Sequence, residues 1–126
     1  MGLVYTEIEL SNLLAPDMAA YRTTALVDTG ALHLCIPQHI ALQLNLKQLE
    51  EREVIIADGS RKMVPYVGPV KVTFKNRNCF TGAMVLGDAV LLGAIPMEDM
   101  DLIVIPALLK VDVNPLSPNV PLSVAK

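Results

Sequence analysis

The chain predicts a mainly β domain with one or two short helices, and three observations carry that reading. Apolar or β-branched residues alternate with polar ones at period two from Val4 to Leu10 and again from Val70 to Lys75. Short aliphatic runs recur between turn residues, as in Leu26-Val27, Val54 to Ala57 and Val90 to Leu92. Helical spacing is confined to two brief segments, one behind Pro37 and one behind Pro96. A chain of 126 residues has room for one compact core and not two.

In chain order, Val4, Thr6, Ile8 and Leu10 share one face of a first strand, and Tyr5, Glu7 and Glu9 share the other. Ala15-Pro16-Asp17 turns the chain into a second strand, Tyr21 to Val27, which runs directly into Asp28. A short third strand, Leu32 to Ile36, precedes Pro37, which suits the first position of a helix with Ile40, Ala41 and Leu44 on one side. Glu50-Glu51-Arg52-Glu53 reads as a solvated turn before the strand Val54 to Ala57. Asp58-Gly59-Ser60 then forms the polar tip of a hairpin whose return begins near Met63.

Val70, Val72 and Phe74 oppose Lys71, Thr73 and Lys75 in a strand with one wet face, and Asn76-Arg77-Asn78 is its turn. Met84 to Leu86 and Val90 to Leu92 are short strands around Gly87-Asp88. Pro96, with Glu98, Asp99 and Asp101 behind it, has the composition of a helix N-terminus, where carboxylates meet the positive dipole end. A last strand spans Leu108 to Val113, and Pro115, Pro118 and Pro121 space the remainder as an extended arm. The expected organisation is one domain, 1–113, with a Pro-rich tail, 114–126. LVDTGA at 26–31 and VLLGAI at 90–95 resemble each other and hint at an internal pseudo-two-fold.

Composition removes several function classes. A net charge of -3 with 18% charged residues and no basic stripe excludes nucleic acid as a partner. No apolar run reaches membrane-spanning length, because Asp88, Gly93 and Pro106 interrupt the candidates, and the N-terminus lacks a basic signal region. Cys35 and Cys79 allow at most one disulfide, too sparse a framework for a small secreted scaffold, so a cytoplasmic protein is expected. Hydrophobic residues make up 52% of the chain and mean hydropathy is +0.45, more apolar surface than a small monomer needs; a subunit interface would use it.

Asp28 is the residue that asks for an explanation. As a tripeptide, Asp28-Thr29-Gly30 is an ordinary turn after a strand. Aliphatic neighbours on both sides make a part-buried carboxylate, which needs hydrogen bonds or a purpose. His33, Cys35 and His39 lie close in sequence, but Pro37 redirects the chain between them and no CxxC pair supports a metal site. Cys35 reads as a small buried hydrophobe. No metal and no cofactor are expected.

Three motifs in order resemble a retropepsin-like (retroviral-type) aspartic protease of the small single-domain branch found in prokaryotes. They are Leu26-Val27-Asp28-Thr29-Gly30-Ala31, the glycine-tipped hairpin Ala57-Asp58-Gly59-Ser60, and Leu91-Leu92-Gly93 leading into a helix. The resemblance implies a closed β-barrel, the acid-protease fold with one lobe per chain. It implies a homodimer acting on peptide or protein substrates, because an aspartic protease needs two carboxylates and this chain has one Asp-Thr-Gly. Two such carboxylates, roughly 3 Å apart, would share one proton and serve as base and acid on a water between them.

Residue by residue, Asp28 carries over as catalytic, Thr29 as the link between the two active-site loops, and Gly30 as the bare position over which substrate backbone passes. Ala57, Asp58, Gly59 and Ser60 carry over as the flap, and Ala31, Leu32, His33 and Cys35 as pocket lining. Leu91, Leu92 and Gly93 carry over as the structural turn before the last helix. Viral members commonly hold a charged pair where this chain has Leu32 and Ala94, and losing both partners together strands neither charge. The alternative reading is a catalytically weak or inactive dimer of the same fold that serves as a peptide-binding or assembly module.

Overall fold

The computed structural model describes residues 2–125; Met1 and Lys126, the outermost positions of the expected domain and tail, lie outside them. The elements are β1 (Tyr5–Asn12), β2 (Tyr21–Val27), β3 (Leu34–Ile36), α1 (Gln38–Gln43), β4 (Lys47–Ile55), β5 (Arg61–Phe74), β6 (Arg77–Val85), β7 (Val90–Leu92), α2 (Ala94–Asp99), β8 (Leu102–Ile105) and β9 (Lys110–Val113). A 3-10 turn, Pro106–Leu108, joins the last two. The expected class, mainly β with short helices and a closed barrel, is the one found.

Closure is visible in the pairing. The sheet runs β1-β2-β7-β3-β6-β5-β4, and β1 also pairs with β5, so the first six strands of that order form a ring. Strand β5 makes this possible by its length of 14 residues. Its first half, up to Gly68, pairs with β4 as a hairpin, with Tyr66 and Val67 also paired to β6, and its second half pairs with β1 through Leu10↔Val72 and Asn12↔Val70.

The alternation expected in β1 places Val4, Ile8 and Leu10 inside, where they meet Ala25, Leu34, Ile36, Val70, Val72, Ala83, Val90 and Leu92. Each Val, Leu or Ile side chain among them contributes about 1.5–3 kcal/mol on removal from water. Cys35, Val64 and Met84 form a smaller cluster under the hairpin, with Val54, Tyr66, Leu86 and Leu91 packed on it. Helix α1 ends where Asn45 takes a left-handed conformation, φ 53. The buried Asn12 amide donates to the carbonyls of Leu44 and Asn45 at 2.9 and 3.2 Å, fastening that helix end to β1. Among the described residues no helix is long and apolar enough to cross a membrane.

Several expectations fail locally. Glu50-Glu51-Arg52-Glu53 is not a turn but the middle of β4, a strand with a free outer edge where charged side chains stay in water. Arg77 opens β6 and is fully buried, and Met84 belongs to the same strand. Helix α2 begins at Ala94 with Gly93 as its cap, so Glu98 and Asp99 lie at its C-terminal end, away from the favourable dipole end. Leu102–Ile105 forms a strand paired with β9. The tail is no free arm: Ser117 N donates to Asn114 O, and Asp101 accepts from Asn114, Ser117 and Leu122. Lys75 and Asn76 also reach Asp112 and the Pro118 carbonyl.

Candidate active site

Strand β7 is the pivot of the site. It pairs in parallel with β2 (Leu26↔Leu91, Val27↔Leu92) and antiparallel with β3 (Leu34↔Leu92, Cys35↔Leu91). The similar hexapeptides at 26–31 and 90–95 therefore stand side by side. The loop from Asp28 to His33 must cross the end of β7 to connect its two neighbours. Asp28 N extends the ladder by donating to Leu92 O at 3.0 Å.

The turn is then closed by Asp28 itself. Its Oδ1 accepts from Gly30 N at 3.0 Å, and its carbonyl accepts from Ala31 N at 3.1 Å, an Asx-type turn that aspartate forms readily. Asp28 is half-buried, while Thr29 and Gly30 are exposed. No described group donates to Asp28 Oδ2. The carboxylate is thus oriented through one oxygen with the other unclaimed.

The loop is locked to α2 by main chain. Ala94 N donates to Ala31 O at 2.8 Å and Ile95 N to Leu32 O at 2.9 Å, which satisfies two helix-start N–H groups that no side chain caps. These bonds join Ala31-Leu32 to Ala94-Ile95. Gly93 permits the contact: a Cβ there would meet the His33 carbonyl oxygen at 2.4 Å and the Leu32 carbonyl carbon at 2.6 Å. Leu91, Leu92 and Gly93 are therefore in one assembly with Asp28, Thr29, Gly30, Ala31, Leu32, His33 and Cys35.

Charge and burial act on this group. The Cys35 thiol is held above its ordinary value by burial and then by the neighbouring Asp28 carboxylate. His33 is held below its ordinary value by burial and by the Arg52 guanidinium of β4. The hairpin stem therefore lies within electrostatic reach of the Asp28 loop.

Ala57, Asp58, Gly59 and Ser60 occupy the hairpin tip, all exposed. Gly59 adopts φ +85 with open space around it, Asp58 Oδ1 accepts from Ser60 N and Oγ at 2.8 and 2.6 Å, and Ile56 N donates to Ser60 O at 3.0 Å. Those hydroxyl and amide donors hold the Asp58 carboxyl below its usual range. The tip is ordered by its own bonds; among the described residues none joins it to the Asp28 loop.

The sequence reading missed Arg52 and Tyr66 on the hairpin stem. Arg52 lies over the Tyr66 ring, 3.8 Å from its centroid. The signal was available, because Arg52, Val54 and Ile56 recur at period two ahead of the tip, the pattern of one strand face. Among the described residues no group of His, Cys, Asp or Glu is arranged to hold a metal ion.

No protein-family model matches the chain, and no curated protein matches it. Among solved structures, the chain is similar to the solution structure of a simian foamy virus (mac) protease, at 16% identity over 73% of this chain and 91% of that one, with a TM-score of 0.46.

Proposed function

We propose that the chain is one half of an aspartic endopeptidase, a homodimer that hydrolyses peptide bonds with water activated between two Asp28 carboxylates, one from each copy. The observation that carries this reading is the Asp28 turn: a half-buried carboxylate at the end of β2, oriented through one oxygen, with the other unclaimed among the described residues. Its surroundings support a second copy. Val27 N donates to Val4 O, Ile95 N to Leu32 O, and Gly2 lies against Leu109, so Leu3, Leu32, Ile95 and Leu109 gather around this end. All four are exposed, from 46 to 66%. An apolar rim around a carboxylate is what a self-complementary interface would cover.

In this mechanism an ionised Asp28 takes a proton from the water as its oxygen attacks the scissile carbonyl carbon, while the protonated Asp28 of the second copy hydrogen-bonds the forming oxyanion. The C–N bond then breaks and the proton passes to the leaving amine. Thr29, exposed beside Asp28, bridges the two loops, and Gly30 leaves room for substrate backbone. Ala31, Leu32, His33 and Cys35 line the pockets, and Ala57 to Ser60 close over the peptide to exclude water. Two free thiols, Cys35 and Cys79, suit a reducing, cytoplasmic setting.

The test is cleavage of a complex peptide mixture at mildly acid pH by wild type and Asp28→Asn, alongside sedimentation. The expected result is a concentration-dependent dimer whose activity falls roughly 10²–10⁴-fold in the variant. Peptide binding by a dimer whose turnover Asp28→Asn does not alter would instead favour the assembly module.

A further inference from the structure

The hairpin stem carries a charged feature that peptide hydrolysis does not itself require. Arg52 stands opposite Val64 in the β4–β5 ladder, so it shares the hairpin face that packs toward Cys35 and Met84. Its guanidinium sits on Tyr66, and Tyr66 is itself fixed. The phenol oxygen accepts from Gly82 N at 3.2 Å, and the ring lies so close to Gly82 that a Cβ there would fall 2.3 Å from Cζ. A rigid aromatic platform therefore orients the guanidinium before anything binds.

The guanidinium is only partly engaged. Nε donates to Glu50 Oε2 at 3.0 Å, an exposed pair of the kind worth little in water, and the two terminal nitrogens have no acceptor among the described residues. Tyr66 pairs with Met84 and Met84 with Cys35, so the guanidinium and its platform share a sheet face with β3, which His33 precedes by one residue. Burial and then the Arg52 charge hold the His33 imidazole below its ordinary value. A guanidinium held flat on a ring, with its terminal nitrogens free of any acceptor among the described residues, is prepared for an anion. A carboxylate is the fitting guest, since it accepts two parallel bonds from a guanidinium edge and a third from an imidazole N–H.

We propose that Arg52 and His33 form the wall of a side-chain pocket that receives an acidic residue of the peptide, near the bond cut at Asp28. The inference rests on the endopeptidase reading of Asp28 and names the substrate class that site selects.

The experiment uses the full chain and matched peptide pairs carrying Glu or Gln at one position, chosen from the products of an unbiased peptide mixture. Wild type should favour the Glu peptide by roughly ten- to a hundredfold in kcat/KM, mainly through KM. Arg52→Met should bring the Glu/Gln ratio close to one, and Arg52→Lys should restore part of it. Equal use of the two peptides by wild type, or a ratio that Arg52→Met leaves intact, overturns the pocket. Binding of the same pairs to Asp28→Asn, read by fluorescence anisotropy, separates this inference from the catalytic one. With no cleavage by wild type the endopeptidase reading fails, and peptides panned on Asp28→Asn still judge the pocket by whether Glu outbinds Gln.

Discussion

The backbone of His33 lies on Gly93 with no room for a side chain: a Cβ at Gly93 would come within 2.4 Å of the His33 carbonyl oxygen and 2.7 Å of its nitrogen. Both are main-chain atoms and cannot swing aside. Gly93→Ala should therefore destabilise the fold by about 1–3 kcal/mol, the usual cost of overpacking. Gly59→Ala, at the open hairpin tip, meets only the left-handed backbone penalty of roughly 1–2 kcal/mol. Urea midpoints compare the two directly. In addition, Gly93→Ala should disturb amide resonances from Asp28 to Ile95, which Gly59→Ala should leave in place; equal and local effects would contradict the close approach.

Cys79 gives the fold an alkaline limit. Burial, and then the Asp99 carboxylate beside it, push its thiol from an ordinary value of 9.0 up to about 12. The folded state keeps a proton that the unfolded chain releases, so this contribution is complete below pH 9 and is lost as pH rises through about 12. Cys35 acts in the same direction. The slope attributable to one such group is at most about 1.4 kcal/mol per pH unit. The stability advantage of wild type over Cys79→Ala should be constant up to about pH 9 and shrink from there towards about pH 12. Denaturant titrations across that range measure it, and a constant difference would falsify the assignment.

Asp101 sets the acid behaviour of the tail. It accepts from Asn114 Nδ2 at 3.1 Å, from Leu122 N at 2.9 Å and from the Ser117 hydroxyl, and these donors, with the Arg77 guanidinium, hold its carboxyl below the usual range. The restraint is fully present above the ordinary value of 3.8 and is lost as pH falls through the lowered one. Asp101→Asn should release residues 114–122 at neutral pH. Hydrogen exchange at the Leu122 amide should accelerate strongly while exchange in β1 and β6 changes little, and protection unaffected by the variant would show that other contacts hold the tail.

Legibility from sequence followed physical distinctness. Strands β2 and β7 match their expected limits because each ends in an aliphatic run bounded by turn residues, β2 being further marked by its β-branched Thr23 and Thr24. The Asp28 turn was legible because Asp, Thr and Gly have few reasons to stand together after a buried strand. Strand β6 was obscured because Arg77, Asn78 and Gly82 are poor strand residues by composition. Arg77 is nevertheless buried under the tail, where its Nη2 reaches the Ser117 carbonyl, and Gly82 is required by the Tyr66 ring. Both reasons lie far away in sequence. The start of α2 was misplaced because the carboxylates suggested a helix beginning, whereas the close approach at Gly93 decides it.

Closing the ring through β1 and β5 also decides where another chain could attach by backbone hydrogen bonds. Each ring strand has two partner strands along at least part of its length, whereas β4, and β8 and β9 within their ribbon, have one partner strand each, and so a free edge, among the described residues. On β4 that edge carries Glu50, Glu51, Arg52 and Glu53, and stacking a second copy in register would set like charges against each other. The acidic run that looks like a solvated turn is thus a guard against fibre growth, placed on the strand of the barrel-side sheet that closure leaves unprotected.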